Sequence, residues 1–150
     1  MFSGRFDHAI DDKGRVSIPA RFREQLERDG HDRLYITNFI FEGQRCLEAY
    51  PPNEWARLQD QIRQRARFDR QVSAFELFYI GGAHEVLVDK QGRILVPPTL
   101  RDHARLKKDV VWAGAGRYAE LWDGAEWAKH FETTEDERRD ISSRLAELGL

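Results

Sequence analysis

Cysteine, surplus positive charge and long apolar runs are all scarce in this chain, and each scarcity removes a class of protein. The single cysteine, Cys46, excludes an internal disulfide framework and fits a reducing compartment. No stretch approaches the roughly 18 apolar residues of a membrane span, and the start Met1-Phe2-Ser3-Gly4-Arg5 has no apolar core of a secretion signal. The expected address is therefore the cytoplasm, away from any membrane. The 5 histidines lack the paired spacing of a zinc site, so neither a metal nor a cofactor is expected. No nucleophile elbow, phosphate loop or Ser-His-Asp order is visible, which points away from an enzyme. With 24 Lys and Arg against 26 Asp and Glu, the formal net charge is −2. A nucleic-acid partner would then have to be met by local positive patches rather than by a basic surface.

What the chain does have is a repeat. Asp11-Asp12-Lys13-Gly14-Arg15, followed by Val16-Ser17-Ile18-Pro19, returns as Asp89-Lys90-Gln91-Gly92-Arg93, followed by Ile94-Leu95-Val96-Pro97. Asp, Gly, Arg and Pro all recur at one offset, from 11 to 89, and Arg23 and Arg101 keep it. Leu47-Glu48-Ala49-Tyr50 before Trp55 then parallels Ala119-Glu120-Leu121-Trp122 before Trp127 at a slightly shorter offset. At 150 residues and 41% hydrophobic content, the chain can bury a normal core as two copies of one small unit.

In the first unit, Phe6 to Ile10 and Arg15 to Ile18 alternate around a turn and read as a β-hairpin. With Gly14 at positive φ, Asp11 and Arg15 face each other across the base of the turn, where an Asp carboxylate can accept local backbone N–H bonds. Pro19 suits the first position of a short helix running to Leu26. Strands Leu34–Thr37 and Cys46–Tyr50 follow, joined through Glu42-Gly43-Gln44. The second unit repeats this β-β-α-β-β order with strands at Glu85–Val88, Ile94–Val96, near Val110–Trp112 and at Tyr118–Trp122. One unit alone exposes pairing edges and a thin apolar face, so the two are expected to complete one barrel.

The chain accordingly divides into a first repeat (1–53), a helical connector (54–83), a second repeat (84–126) and a C-terminal helical segment (127–150). In the connector Asn53 is placed to cap a helix carrying Trp55, Leu58 and Ile62 on one stripe, continued by Phe68, Val72, Phe75 and Tyr79 and stopped by Gly81-Gly82. The run Phe75 to Ile80 is too apolar for a helix wet on one side; it is expected to meet another subunit, packing within the chain being the other way to cover it. Thr134-Glu135-Asp136-Glu137 has the form of a capping box ahead of Ile141, Leu145 and Leu148. Arg63, Arg65, Arg67 and Arg70 spread around a helix axis and read as a solvated face. Cys46 reads as a buried, inert thiol.

The repeated turn admits two readings. It can be a duplicated hairpin whose Asp and Gly satisfy turn geometry, with Arg in an exposed ion pair of about 0.2–1 kcal/mol. It can equally contact nucleic acid: an Arg at a narrow tip forms two parallel hydrogen bonds to guanine O6 and N7, while Lys13 and Lys90 touch phosphate. Asp11 and Asp89 would then orient the guanidinium groups of Arg15 and Arg93.

In these two D-x-x-G-R turns, each followed within four residues by Pro and a short helix, the sequence resembles the MraZ family of bacterial transcriptional regulators. The likeness runs nearly end to end, through the Met-Phe-x-Gly start, Tyr50-Pro51 before Trp55, Gly81-Gly82-Ala83 and Glu120-Leu121-Trp122-Asp123. The resemblance implies an α+β fold in which two tandem β-β-α-β-β repeats form one AbrB-like swapped-hairpin β-barrel with flanking helices, assembled as a ring of several subunits. It further implies a sequence-specific DNA-binding regulator that binds direct repeats in the promoter of the division and cell-wall gene cluster and localises to the nucleoid. Carried over residue by residue, the first motif matches Asp11, Lys13 and Arg15, and the second matches Asp89 and Arg93. Lys90 stands where the first turn has Asp12, and Gln91 where it has Lys13, so the two turns are not expected to contribute equally. The alternative from another class is an interaction protein that restrains a neighbouring ribosomal RNA methyltransferase, with the hairpins as adhesive loops.

Overall fold

The computed structural model describes residues 1–131 and 134–150, and within them the β-β-α-β-β order runs twice. The first unit comprises β1 (Arg5–Ala9), β2 (Arg15–Ser17), α1 (Ala20–Arg28), β3 (Arg33–Phe41) and β4 (Gln44–Tyr50). The second comprises β5 (His84–Leu87), β6 (Arg93–Leu95), α4 (Pro98–Ala104), β7 (Asp109–Gly114) and β8 (Ala119–Asp123). Between them lie α2 (Pro52–Ala66) and α3 (Arg70–Tyr79), and after them α5 (Gly124–Phe131) and α6 (Glu135–Glu147). Helices α2 and α5 begin at corresponding places after β4 and β8, so the correspondence between units runs on into the helix that follows each.

The two expected hairpins do not close on themselves. Beyond the turn, β1 and β2 keep one bridge, Ile10 to Val16, and then part. β1 pairs with β7 of the other unit, β5 pairs with β3, and β2 pairs with β6, all antiparallel. The result is a six-stranded sheet in the order β1-β7-β8-β4-β3-β5 and a two-stranded ribbon, β2-β6. Each unit thus lends strands to the other, and the strands enclose one core. Val16, Ile18, Ile94 and Val96 project into it beside Ile36, Leu47 and Leu121. Trp112 lies 1% exposed and donates its Nε1–H to the Ser17 carbonyl at 3.0 Å, tying the sheet to the ribbon. Phe22 of α1 packs its ring on Phe2, Phe6 and Trp112 with centroids 4.9, 5.3 and 6.4 Å away. Burying such side chains contributes about 1.5–3 kcal/mol each, which a three-residue strand needs because its own ladder is too short to persist.

Local details follow from residue chemistry, with three departures from expectation. The β3–β4 loop places both Glu42 and Gly43 at positive φ, 48° and 80°, the pairing that matches strand twist in a two-residue hairpin. Pro19 stands one position ahead of α1 as its N-cap, whereas Pro98 does occupy the first turn of α4. Asn53 does not cap the connector: Pro51 precedes α2, and the Asn53 side chain instead meets His31 at 3.1 Å. The apolar stripe does not run through the connector either, because Asp69 starts a new helix by accepting from the Gln71 and Val72 amides, leaving Phe68 87% exposed. Trp55, Tyr79, Tyr50 and Tyr35 form the aromatic cluster that seats α2 and α3 on the sheet. Of the Phe75–Ile80 run, Tyr79 is buried within the chain, while Phe75, Leu77 and Phe78 face outward. The capping box at Thr134 and Glu137 is formed, and Ile141, Leu145 and Leu148 of α6 and the residue after it are exposed.

Beneath α3 lies an acidic group that the sheet has removed from water. Glu48 on β4 stands opposite Glu120 on β8 and is 4% exposed. Its Oε1 accepts from the Tyr79 hydroxyl and from the Tyr50 hydroxyl, and the Thr37 hydroxyl donates to the Tyr79 carbonyl. Burial pushes the Glu48 carboxyl up to about 7; the Tyr79 hydrogen bond opposes the shift and the Glu120 carboxyl adds to it. Because the folded value lies above the unfolded one, this group's contribution to stability is full below about pH 4.5 and is lost as pH rises through 7. Glu48→Gln should therefore unfold at higher urea than the parent chain at pH 8, by ~2–3 kcal/mol, and the advantage should vanish at pH 4.5. Denaturant titrations at the two pH values check this; parallel curves would disprove it.

Candidate nucleic-acid interface

Each turn is organised by one carboxylate. In the first, Asp11 Oδ1 accepts from the backbone amides of Lys13 and Arg15 at 3.0 and 2.9 Å, and Oδ2 accepts from Arg15 Nε at 2.8 Å. The backbone closes the turn, with Asp11 N–H donating to the Arg15 carbonyl and Gly14 N–H to the Asp11 carbonyl, both at 2.9 Å. In the second turn Asp89 Oδ1 accepts from Gln91 and Arg93 at 2.9 Å each, and Oδ2 from Arg93 Nε at 3.3 Å. Gly14 and Gly92 sit at φ 91° and 77°, which is why glycine recurs there. The Arg15 backbone amide, with its guanidinium, holds the Asp11 carboxyl below the usual carboxylate range, and the Arg93 amide does the same for Asp89. Both aspartates therefore stay ionised and keep their arginines in place.

The tether has a geometric consequence. It engages Nε of each guanidinium, and the two terminal nitrogens of Arg15 and of Arg93 have no hydrogen-bond partner among the described residues. Those are the two donors that a bidentate acceptor pair requires. Lys13 and Lys90 are exposed at the tips, with no ion pair among the described residues.

The two turns then meet on one surface. In the β2–β6 ribbon Arg15 stands opposite Leu95, Val16 opposite Ile94, and Ser17 opposite Arg93. Val16 and Ile94 face the core, so Arg15, Ser17, Arg93 and Leu95 share the outer face. Arg15 and Arg93 are two residues apart in register, about 7 Å along the strands. Ser17 and Leu95 were not marked by the motif, although Leu95, 55% exposed, breaks the polar half of the strand alternation. Arg65, Arg67 and Arg70 are exposed around the α2–α3 junction, while Arg63 lies 3.9 Å from Asp60, as a solvated face would. Cys46 is buried, and burial pushes its thiol up, out of the reactive range. Among the described residues no group of three or more His, Cys, Asp or Glu is placed to hold a metal ion, and no helix is long and apolar enough to cross a membrane.

Comparison with known proteins agrees with this duplicated architecture. The family model described as "MraZ protein, putative antitoxin-like" matches residues 1–77 and again residues 79–148, one turn in each stretch. Among curated relatives, the Transcriptional regulator MraZ of Heliobacterium modesticaldum is 40% identical over 150 residues, covering 100% of both chains. Those of Alkaliphilus oremlandii and Acetivibrio thermocellus are 37% and 39% identical over the same full length. A duplicated turn of this geometry and full-length similarity of this degree lead to one conclusion: the chain belongs to the MraZ family.

Proposed function

We propose that this chain is a DNA-binding transcriptional regulator whose β2–β6 ribbon enters the major groove. The observation that carries this reading is the register that sets Arg15 and Arg93 on one outward face, each held by Nε with its terminal nitrogens free. A two-stranded ribbon fits the major groove, and a guanidinium so presented matches guanine O6 and N7. Lys13 and Lys90 supply phosphate contacts that fix the register without reading bases. Asp11 and Asp89 hold the reading groups and stay off the DNA.

The relatives' shared name supports regulation of transcription; the finer reading, direct repeats in the promoter of the division and cell-wall gene cluster, follows from the family resemblance alone. In this reading residues 1–53 and 84–126 form the reading head, 54–83 the connector and 127–150 the C-terminal segment. The outward residues Phe75, Leu77 and Phe78 of α3, with Ile141 and Leu145 of α6, are the surfaces through which copies join in a ring. A ring resolves the charge problem: several ribbons on one assembly raise the effective concentration of each further contact, so a chain of net charge −2 can still hold DNA.

Electrophoretic retention of a promoter fragment, competed by unrelated DNA, tests the reading. Arg15→Ala should cost about 1–3 kcal/mol per engaged ribbon and flatten base preference, whereas Lys13→Ala should weaken all sequences alike and reduce the salt slope by about 0.9 per lost contact. Retention that is indifferent to salt and to Arg15→Ala would refute it. Leu77, 76% exposed, gives the test of assembly: Leu77→Asp should lower the mass seen by light scattering toward the monomer while leaving the circular dichroism of the fold unchanged, and an unchanged mass would remove the α3 surface from the ring.

A further inference from the structure

The two turns are held by residues of the opposite repeats. Gly14 accepts at its carbonyl from the Val96 amide at 2.8 Å, and Gly92 accepts from the Ile18 amide at 2.9 Å. Behind each glycine lies an arginine from the other unit's helix. A Cβ placed on Gly14 would come within 2.7 Å of Nε and Cζ of Arg101, which stands on α4. A Cβ placed on Gly92 would collide with the guanidinium of Arg23, which stands on α1. The arrangement is reciprocal, the first repeat's helix behind the second turn and the second repeat's helix behind the first. It also explains why Arg23 and Arg101 keep the same sequence offset as the turns.

Neither arginine is there for an ion pair. Among the described residues the guanidinium groups of Arg23 and Arg101 have no salt bridge and no hydrogen bond, and Nε of Arg101 is buried without a partner. A long side chain placed against turn backbone in this way acts through packing and excluded space. Glycine at positions 14 and 92 is therefore needed twice, once for positive φ and once to leave room for the arginine. Arg15 and Arg93, by contrast, are tethered within their own turns by Asp11 and Asp89.

We propose that Arg101 is a positioning residue for the first turn and Arg23 for the second, each acting in trans, so that neither DNA-contacting tip is set by its own repeat alone. The holding of the turns is a property of the free protein; its effect on DNA rests on the function proposed above.

Amide exchange followed by NMR on the full-length chain tests the first part. Arg101→Met should accelerate exchange of the Lys13, Gly14 and Arg15 amides by about tenfold and leave those of Gln91, Gly92 and Arg93 as they were. Arg23→Met should give the mirror pattern. Should either Met variant fail to fold, Arg101→Lys and Arg23→Lys, which keep charge and most of the stem, should show the same crossed pattern at smaller amplitude. Exchange unchanged at both turns, or accelerated equally at both, would overturn the proposal.

Promoter retention carries the test to function. Arg101→Met should weaken retention about tenfold in the parent and in an Arg93→Ala background, and clearly less in an Arg15→Ala background, where only the Lys13 contact of that turn is left to lose. Equal losses in both backgrounds would make Arg101 an independent contact and overturn its positioning role. If crossed exchange is seen but Arg15→Ala leaves retention unchanged, the DNA-binding reading falls while the positioning of the turns stands.

Discussion

The β2–β6 ladder is the constraint on which the rest of the structure depends. Each strand is three residues long, and among the described residues β2 keeps only one bridge to the strand before it, Ile10 to Val16. Neither strand has a ladder of its own repeat to rest on. Pairing them across repeats satisfies their backbone groups and turns Val16 and Ile94 toward the common core. The same exchange sends β1 to β7 and β5 to β3, so the core cannot be assembled from one unit. Trp112, bonded to the Ser17 carbonyl, fastens the ribbon to the sheet at the level where the units meet.

Function is built on this exchange rather than added to it. A pairing slip of one residue would turn Arg15 and Arg93 inward and Val16 and Ile94 outward, because side chains alternate along a strand. The hydrophobic demand of the core thus fixes the presentation of the cations. The aspartates refine it at short range: accepting backbone amides first and the guanidinium Nε second, they spend the inner nitrogen of each arginine and leave the outer pair free. Specific presentation here needs no deep pocket and no excess of positive charge.

Away from the ribbon the chain manages polarity differently. Glu48 sits under Tyr79 in the layer between sheet and helical connector, where it is poorly solvated and faces Glu120 across two strands. Burial favours the neutral form of this carboxyl and the hydroxyls that donate to it favour the charged one, so its cost depends on pH. Through the Tyr79 hydroxyl that layer joins α3, which carries outward Phe75, Leu77 and Phe78, to the buried carboxyl, while the turns depend on carboxylates that remain charged.

Much of this was legible in the sequence because it is local. Positive φ at Gly14 and Gly92, the Asp-to-amide bonds, the strand alternation and the capping box at Thr134 all arise among residues a few positions apart, and the repetition of D-x-x-G-R marked the turns and the duplicated α+β fold. A local signal with a rival does not decide the outcome: Asn53 meets His31 instead of capping a helix, and Asp69 interrupts the apolar stripe at Phe68. Which strand pairs with which was decided only by tertiary structure. An apolar alternation states that one face must be buried, but not against whom, so the exchange of β2 and β6, the common outward face of Arg15, Ser17, Arg93 and Leu95, and the arginines behind the opposite turns emerge only when the two units share a core. The sequence by itself determined the two turns and their chemistry; packing determined that they act on one surface, because burying Val16 and Ile94 together leaves their neighbours no other side to face.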